Sequence, residues 1–159
     1  MGLFDFFKRK KFKVKKIEFI DESHLVNIPK TELKFNGIEI EIGCNSEESL
    51  KHINEDYEVL KKEGLEKFIR ADFIPWLKDD EFNDLDDDKI YKGLKLTEIS
   101  YYYDFICDKY SPTNKGDYFG QFAFTFESSN RYTKNLLEVA EFVLLINNGN
   151  IYYDRSYDV

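Results

Sequence analysis

Residues 118–127 read YFGQFAFTFE, in which every second position from Tyr118 to Phe126 is aromatic or glycine. Alternation with a period of two is typical of a β-strand with one face in a core. The stretch from Thr97 to Cys107 alternates in the same way, and its apolar face includes Tyr101 and Tyr103. Because a turn-rich segment separates the two stretches, we expect them to pair as an antiparallel hairpin.

Two further hairpins are predicted on either side of this one. Thr31 to Phe35 runs into Asn36-Gly37 and continues as Ile38 to Ile42. Asn-Gly favours a type I′ turn, because both central residues of that turn need a positive φ. Residues 136–146 fit either a helix or a strand, and we favour a strand at their end, before the turn signal NNGN and a short return strand.

Between the first two hairpins, apolar residues recur at helical spacing. We expect a first helix to end at Gly64, a second to cover Glu66 to Lys78, and a short third to begin near Lys89 behind an aspartate cap. Pro75 must kink the second helix or open a new turn. The predicted buried stripe of that helix is Phe68, Ile69, Phe73, Trp76 and Leu77.

The order of these elements predicts an α+β fold. Its antiparallel sheet is built from hairpins, and two or three helices are inserted after the first hairpin and cover one face. We expect residues 17–159 to form this single domain, preceded by a basic and apolar tail at residues 1–16. Residues 12–20 alternate imperfectly and fit either a first strand or the end of the tail.

Charge is distributed unevenly along the chain. The whole sequence has 23 Lys and Arg against 31 Asp and Glu, and the first sixteen residues hold seven of those bases and one acid. The remaining 16 bases and 30 acids give residues 17–159 a net charge of −14. The tail and the body are therefore expected to attract partners of opposite charge.

Several features favour a cytoplasmic location. The longest apolar run, Phe142 to Ile146, is far shorter than the roughly 20 residues that cross a bilayer. The tail places its apolar residues before its bases, the reverse of a secretory signal. Cys44 and Cys107 are the two cysteines, and we interpret both as small buried hydrophobic residues in a reducing compartment.

The motifs of common catalytic and cofactor sites are missing from the sequence. It contains no nucleophile elbow, phosphate-binding loop, dinucleotide fingerprint or zinc motif, and its histidines are His24 and His52. We therefore expect a non-enzymatic protein without a cofactor. An enzyme that uses paired carboxylates is a third alternative, because the chain has 31 acids, although their spacing singles out no pair.

Residues 79–88 form an acidic run. Asp84, Asp86 and Asp88 mimic the opening of a calcium-binding loop, but Lys89 and Lys95 occupy the positions that need Gly and Glu. We interpret the run as a solvated loop or a contact surface for a basic protein, and the acidic body disfavours nucleic acid. An exposed tyrosine completes the candidate partner-binding residues, which are Asp79, Asp80, Glu81, Asp84, Asp86, Asp87, Asp88 and Tyr102.

The tail has two interpretations. Its aromatic residues and bases fit an anionic membrane interface, although so short an apolar stretch would anchor weakly. Alternatively, it is a flexible tail or a strap that packs on the acidic body. The candidate membrane-contact residues are Leu3, Phe4, Phe7, Lys8, Arg9, Lys10 and Lys11.

Residues 1–8, FNGIEIEI at 35–42, GQFAFTFE at 120–127 and NGNI at 148–151 together resemble small bacterial domains of unknown function. Several of those domains occur near polymorphic toxins as candidate immunity proteins. With the acidic body, the resemblance favours a cytoplasmic protein-interaction domain, and an immunity-type inhibitor of a basic toxin in particular. The alternative function is peripheral membrane association through the tail, and the sequence does not indicate an oligomeric state.

Overall fold

A computed structural model describes residues 30–43, 46–78, 84–106 and 116–159. Six strands form one sheet in the order β1-β2-β3-β4-β5-β6. The strands are β1 (Lys30–Phe35), β2 (Ile38–Ile42), β3 (Leu94–Ile106), β4 (Asp117–Ser128), β5 (Val139–Asn147) and β6 (Asn150–Asp158). The helices are α1 (Ser46–Glu63), α2 (Leu65–Phe68), α3 (Ile74–Lys78) and α4 (Asp87–Gly93), with a π-helical turn at Ile69–Phe73.

This architecture confirms the predicted α+β fold, with the helical segments inserted after the first hairpin. Among the described residues, no helix combines the length and the apolar character that crossing a bilayer requires. Several predicted features lie outside the described residues. They are the tail at residues 1–16 with all its candidate membrane-contact residues, the stretch 12–20, His24, Cys44 and Cys107.

Both Asn-Gly turns adopt the backbone conformation that their sequence requires. Asn36 and Gly37 have φ values of 50° and 84°, and Asn148 and Gly149 have values of 49° and 75°. The ambiguous stretch 136–146 ends in a strand, as favoured, because β5 begins at Val139. The two turns therefore fix the registers of β1 with β2 and of β5 with β6.

One pair of strands departs from the hairpin arrangement. Strands β2 and β3 are parallel, with Ile40 opposite Ile99, whereas the other four pairs are antiparallel. The helices connect the end of β2 to the start of β3, and a parallel pair needs a crossover of that kind. The inserted helices thereby place the first hairpin beside β3 within a single sheet.

The helices cover one face of the sheet, which we call the helix face. Its fully buried residues alternate along the strands and join the buried residues of the helices in one core. From the sheet come Ile40, Ile42, Ile99, Tyr101, Phe122, Phe124, Phe126, Ala140, Phe142, Leu144 and Ile146. From the helical layer come Leu50, Ile53, Leu60, Leu65, Ile69, Phe73, Ile74, Leu77 and Ile90.

Pro75 explains why the predicted helix at residues 66–78 is interrupted by a π-helical turn. Proline has no N–H, and its ring clashes with the carbonyl four residues back. The π-helical turn widens the helix just before it, and the N–H of Ile74 donates to the carbonyl of Ile69, five residues back. This extra residue shifts the buried stripe. Trp76, which was predicted to be buried, is therefore 37% exposed and stacks on Phe73 from outside.

Asp86 caps helix α4, which confirms the aspartate cap that the sequence predicted. Its Oδ1 accepts hydrogen bonds from the backbone N–H groups of Asp88 at 2.9 Å and Lys89 at 3.2 Å. These first-turn groups have no partner within the helix itself. The cap thus holds the start of α4, whose Ile90 is fully buried in the core.

We predict that Asp86→Ala lowers the free energy of unfolding by about 1 kcal/mol, the usual effect of losing an N-cap side chain. Asp84→Ala is the matched control, because Asp84 is exposed and shows no side-chain bond to the described part of the chain. That variant should stay within about 0.5 kcal/mol of the parent protein. Urea unfolding of both proteins tests the assignment, and equal losses would show that Asp86 acts only as a surface charge.

Candidate functional site

The acidic run is only partly described. Asp79, Asp80 and Glu81 lie outside the described residues. Asp84 is exposed in the turn that precedes α4. The remaining acids of the run belong to the start of α4, where their negative charge also favours the positive end of the helix dipole.

Basic residues of the preceding helix balance two of these acids. Lys78 Nζ lies 2.8 Å from Asp87 Oδ1 and also donates to the Leu85 carbonyl at 2.8 Å. Arg70 Nη1 lies 2.9 Å from Asp88 Oδ1. Since all four charged side chains also contact solvent, each pair adds little stability. Even so, these contacts join the helical turns around α4 and partly neutralise the run.

Tyr102 lies apart from the acidic run. It stands opposite Gln121 on the face of the sheet that points away from the helices, as the alternation of β3 predicted. Its ring covers Gly43, where any side chain would overlap it. The structure therefore does not unite the predicted partner-binding residues into one surface, because Tyr102 and the acids lie on opposite sides of the sheet.

A cluster of four rings lies at the end of the helix face where β3 finishes. We call it the aromatic end, and it consists of His52, Tyr103, Phe105 and Tyr118. The His52 and Tyr103 rings stack with centroids 3.7 Å apart, and Tyr103 and Tyr118 stack at 5.8 Å. Phe105 meets Tyr118 edge-on at 5.3 Å. The rings thus form a continuous row from helix α1 to the last described residues of β3 and the first of β4.

The outer half of this row is open to solvent. Phe105 is 50% exposed and Tyr118 is 53% exposed, although both occupy helix-face positions that the alternation predicted to be core. Helix α1 begins above Tyr103, where Ser49 Oγ accepts the Tyr103 backbone N–H at 2.9 Å. Beyond that point, no helix of the described residues lies above the two strands.

Aspartate side chains hold the peptides that carry the two exposed rings. Asp104 Oδ1 accepts the N–H of Phe105 at 2.8 Å, and Asp117 Oδ1 accepts the N–H of Tyr118 at 2.8 Å. The Phe105 ring also lies against Gly116, whose φ of +92° and missing side chain leave room for it. Each exposed ring is therefore preceded by an aspartate that fixes its peptide and adds negative charge.

Negative charge surrounds the aromatic end. Burial raises the pKa of Tyr103, and the nearby charges of Asp56, Asp117 and Glu48 raise it further. Glu47 is exposed beside Glu48 in the first turn of α1. Lys51 contributes a base through its pair with Glu48. Among the residues that the structure describes, acids thus outnumber bases around these rings.

A buried carboxyl group lies one helical turn behind the aromatic end. Tyr101 Oη donates to Asp56 Oδ2 at 2.5 Å, and Gly120 makes room for the pair because a Cβ there would overlap the carboxyl. Burial raises the pKa of Asp56 to about 6, the Tyr101 hydrogen bond opposes this shift, and the charge of Glu55 adds to it. The same burial and the adjacent Asp56 charge raise the pKa of Tyr101.

A cleft of about 460 Å³ lies at the other end of the helix face. Leu65, Ile69 and Phe126 contribute to its walls, together with polar residues at the rim. Glu66 at the rim binds Arg70 at 2.8 Å, and Arg70 lies over the Tyr91 ring at 4.5 Å. These polar groups bind one another rather than converging on the cleft.

Over residues 30–43, 46–78, 84–106 and 116–159, no three His, Cys, Asp or Glu side chains form a metal-binding group. No protein-family model, curated protein or solved structure matches this chain. The aromatic end is thus the feature that best combines exposure, order and charge in the described part of the molecule.

The alternation assigned Tyr103, Phe105 and Tyr118 to the correct face. Tyr103 packs against the core, and the exposure of Phe105 and Tyr118 was missed. The available signal was the pair Asp104-Phe105 and Asp117-Tyr118, where an acid precedes an aromatic residue at the facing ends of both strands. His52 lacked any local signal, because its contact with Tyr103 spans about fifty residues of sequence.

We predict that Asp56 makes stability depend on pH. Its pKa is about 6 in the folded protein and about 3.9 in an unfolded chain, so the folded protein binds this proton more tightly. The resulting stabilisation is fully present below about pH 4 and is lost as the pH rises through about 6. Between pH 4 and pH 7, the free energy of unfolding of Asp56→Asn should therefore rise by about 2 to 3 kcal/mol relative to that of the parent protein.

Urea unfolding at half-unit pH intervals measures this difference. Glu58→Gln is the control, because Glu58 is an exposed residue of the same helix. The difference between that variant and the parent should change little over the range. If the difference between Asp56→Asn and the parent protein is also independent of pH, the pKa of Asp56 is not raised in the folded protein and the prediction is wrong.

Proposed function

We propose that this chain is a cytoplasmic, non-enzymatic interaction domain that binds a protein with a basic surface through the aromatic end. The observation that supports the proposal is the exposure of Phe105 and Tyr118 side by side in an acidic setting. An immunity-type inhibitor of a basic toxin is the form of this function that the sequence resemblance implies.

The two exposed rings have the character of an interface anchor. Aromatic side chains provide a large contact area and lose few rotatable bonds, and they dominate the energetics of many protein interfaces. Here, aspartate side chains hold the peptides of both residues, the Phe105 ring lies against Gly116, and the two rings contact each other before a partner arrives. Such preorganisation reduces the entropic cost of binding.

The surrounding charge specifies the partner's chemistry. Arginine and lysine side chains are attracted both to the faces of aromatic rings and to carboxylates. Tyr118 and Phe105 offer ring faces, while Glu47, Glu48 and Asp104 supply negative charge nearby. The net charge of the acidic body also speeds the encounter with a basic protein.

This proposal moves the binding surface away from the acidic run at residues 79–88. The contacts of Asp87 with Lys78 and of Asp88 with Arg70 leave that run partly neutralised. Membrane association through the tail stays a prediction of the sequence, because residues 1–16 lie outside the described ranges.

The proposal is tested with a fluorescein-labelled peptide of nine arginines as a model of a basic surface. Phe105→Ser and Tyr118→Ser should each raise its Kd about tenfold, which corresponds to about 1.4 kcal/mol. Tyr157→Ser is the matched control, since Tyr157 is 40% exposed and outside the aromatic end. That variant should bind with unchanged affinity in a fluorescence anisotropy titration.

A second comparison separates local from diffuse charge. Glu47→Gln/Glu48→Gln removes two acids beside the rings, and Glu58→Gln/Glu63→Gln removes two acids farther along the same helix. Only the first pair should weaken binding and reduce its salt dependence. Equal weakening by both pairs, with no effect of the aromatic variants, would contradict a defined site.

The natural partner is then identified with a photoreactive phenylalanine at position 118 in living cells, with position 157 as the control. We expect position 118 alone to give a discrete cross-linked product containing a basic protein. The purified partner should lose affinity for Phe105→Ser and Tyr118→Ser. Cross-linking only at position 157, or a partner insensitive to both substitutions, would overturn the proposal.

A further inference from the structure

One part of the acidic body carries positive charge without matching acids. Lys89 and Lys92 belong to α4, and Arg131 and Lys134 belong to the loop between β4 and β5. These bases are exposed, and none of them forms an ion pair with a carboxylate of the described residues. By contrast, the described bases that form ion pairs are Lys34, Lys51, Lys61, Lys67, Arg70, Lys78, Lys95 and Arg155. The junction of α4 with this loop therefore keeps an excess of positive charge.

Lys89 and Arg131 meet over one aromatic ring. Lys89 Nζ lies 5.2 Å from the centre of the Tyr132 ring, and the Arg131 guanidinium carbon lies 4.9 Å from the same centre. Arg131 Nη2 also donates to Tyr132 Oη at 2.8 Å. Because the face of an aromatic ring attracts cations, the ring offsets part of the repulsion between the two bases. We call Lys89, Arg131 and Tyr132 the basic cluster.

The acids that precede Lys89 in the chain are engaged elsewhere. Asp86 accepts backbone N–H groups as the cap of α4. Ion pairs hold Asp87 and Asp88 toward the bases of the preceding helical turns. These carboxylates therefore leave the charge of Lys89 unmatched.

The loop that carries the basic cluster is fastened to α4. Asn130 Nδ2 donates to the Lys89 carbonyl at 3.1 Å, and Asn130 Oδ1 accepts the N–H of Tyr132 at 2.9 Å. Thr133 is fully buried, and its Oγ1 lies 3.2 Å from the Gly93 carbonyl oxygen. Gly93 leaves room for the Asn130 side chain, which a Cβ at position 93 would overlap. These contacts hold Lys89 and Tyr132 side by side before any ligand binds.

The electrostatic potential at the basic cluster is opposite in sign to that at the aromatic end. The hydrogen bond from Arg131 lowers the pKa of the Tyr132 hydroxyl, desolvation opposes this shift, and the charges of Arg131 and Lys89 add to it. At the aromatic end, burial and nearby acids raise the pKa of Tyr103. Each surface therefore favours a ligand of the opposite charge.

The two surfaces lie at opposite ends of the hairpin of β3 and β4. Gly93, which contacts the loop of the basic cluster, directly precedes β3, and Phe105 of the aromatic end lies near the last residue of that strand. The 13 residues of β3 span about 40 Å at about 3.3 Å per residue. Since the Debye length is about 8 Å at physiological salt, the two surfaces are screened from each other. They can therefore bind different partners.

We propose that the basic cluster is a second binding site, which takes a carboxylate-rich segment of a protein. Arginine and lysine bind carboxylates through charge-assisted hydrogen bonds, and Tyr132 adds a ring face and a hydroxyl group. A single small anion at this open position keeps most of its water and gains little. A segment with several carboxylates reaches Lys89 and Arg131 together. A second copy of this chain is disfavoured as the partner, because its net charge is also negative.

The test is a fluorescence anisotropy titration of the full chain with a fluorescein-labelled peptide of nine glutamates. Lys89→Gln and Arg131→Gln should each raise the Kd about threefold, as expected for exposed charge pairs. Lys62→Gln is the matched control, because it removes one exposed base of α1 that also lacks an ion pair within the described ranges. Its Kd should equal that of the parent chain. An unchanged Kd in every variant, or an equal increase in all three, would overturn the proposal.

Two measurements distinguish other occupants of the same cluster. Inorganic phosphate and sodium chloride at equal ionic strength should displace the peptide equally. Stronger displacement by phosphate that is lost in Arg131→Gln would assign the cluster to phosphate and overturn the proposal. Analytical ultracentrifugation of the chain alone should show no self-association that depends on Arg131, since such association would assign the cluster to a second copy.

Crossed titrations separate this site from the aromatic end. Arg131→Gln should leave the Kd for the nine-arginine peptide unchanged, and Phe105→Ser should leave the Kd for the nine-glutamate peptide unchanged. The second site does not depend on the proposed function, so either proposal can fail while the other holds. If Phe105→Ser weakens binding of the nine-glutamate peptide as much as Arg131→Gln does, the basic cluster is not a separate site.

Discussion

The hairpin of β3 and β4 is longer than the helix that covers it, and this mismatch shapes the molecule. Strand β3 has 13 residues and helix α1 has 18. At about 3.3 Å and 1.5 Å per residue, these lengths are about 43 Å and 27 Å. The same alternating face is therefore core beneath the helix, at Tyr101, and solvent-exposed surface beyond it, at Phe105.

Electrostatics follows from the same layering. A buried carboxyl at Asp56 and ordered aspartates beside the exposed rings concentrate negative charge where the helix layer begins. Elsewhere, acids serve local structure, since Asp86 caps α4 and Asp88 pairs with Arg70. The described end of the acidic run, Asp86 to Asp88, is thus a helix start, while a less conspicuous group of acids lies around the aromatic end.

The sequence predicted the features that depend on neighbouring residues. Neighbouring residues determine the turn at Asn36-Gly37 and the alternating strand β4, and both predictions agree with the structure. Features that depend on distant residues were missed. The parallel pairing of β2 with β3 follows from the helical crossover. The exposure of Trp76 was also missed, but its cause is local, the π-helical turn before Pro75.

The candidate site belongs to this second kind. The alternation assigns Phe105 and Tyr118 to the correct face, but their exposure depends on where α1 begins above the sheet. The stacking of His52 on Tyr103 likewise depends on the three-dimensional placement of the helix. A local pattern specifies which face a residue occupies, and the relative lengths of the layers specify whether that face is covered.

The central claim is that a basic partner binds where the hairpin extends past the helix. The most direct measurement is a nuclear magnetic resonance titration of the full chain with the nine-arginine peptide, with signals followed at every residue. The largest shifts should occur at His52, Tyr103, Phe105 and Tyr118. Largest shifts at Asp84 to Asp88, with the aromatic signals unchanged, would contradict the account.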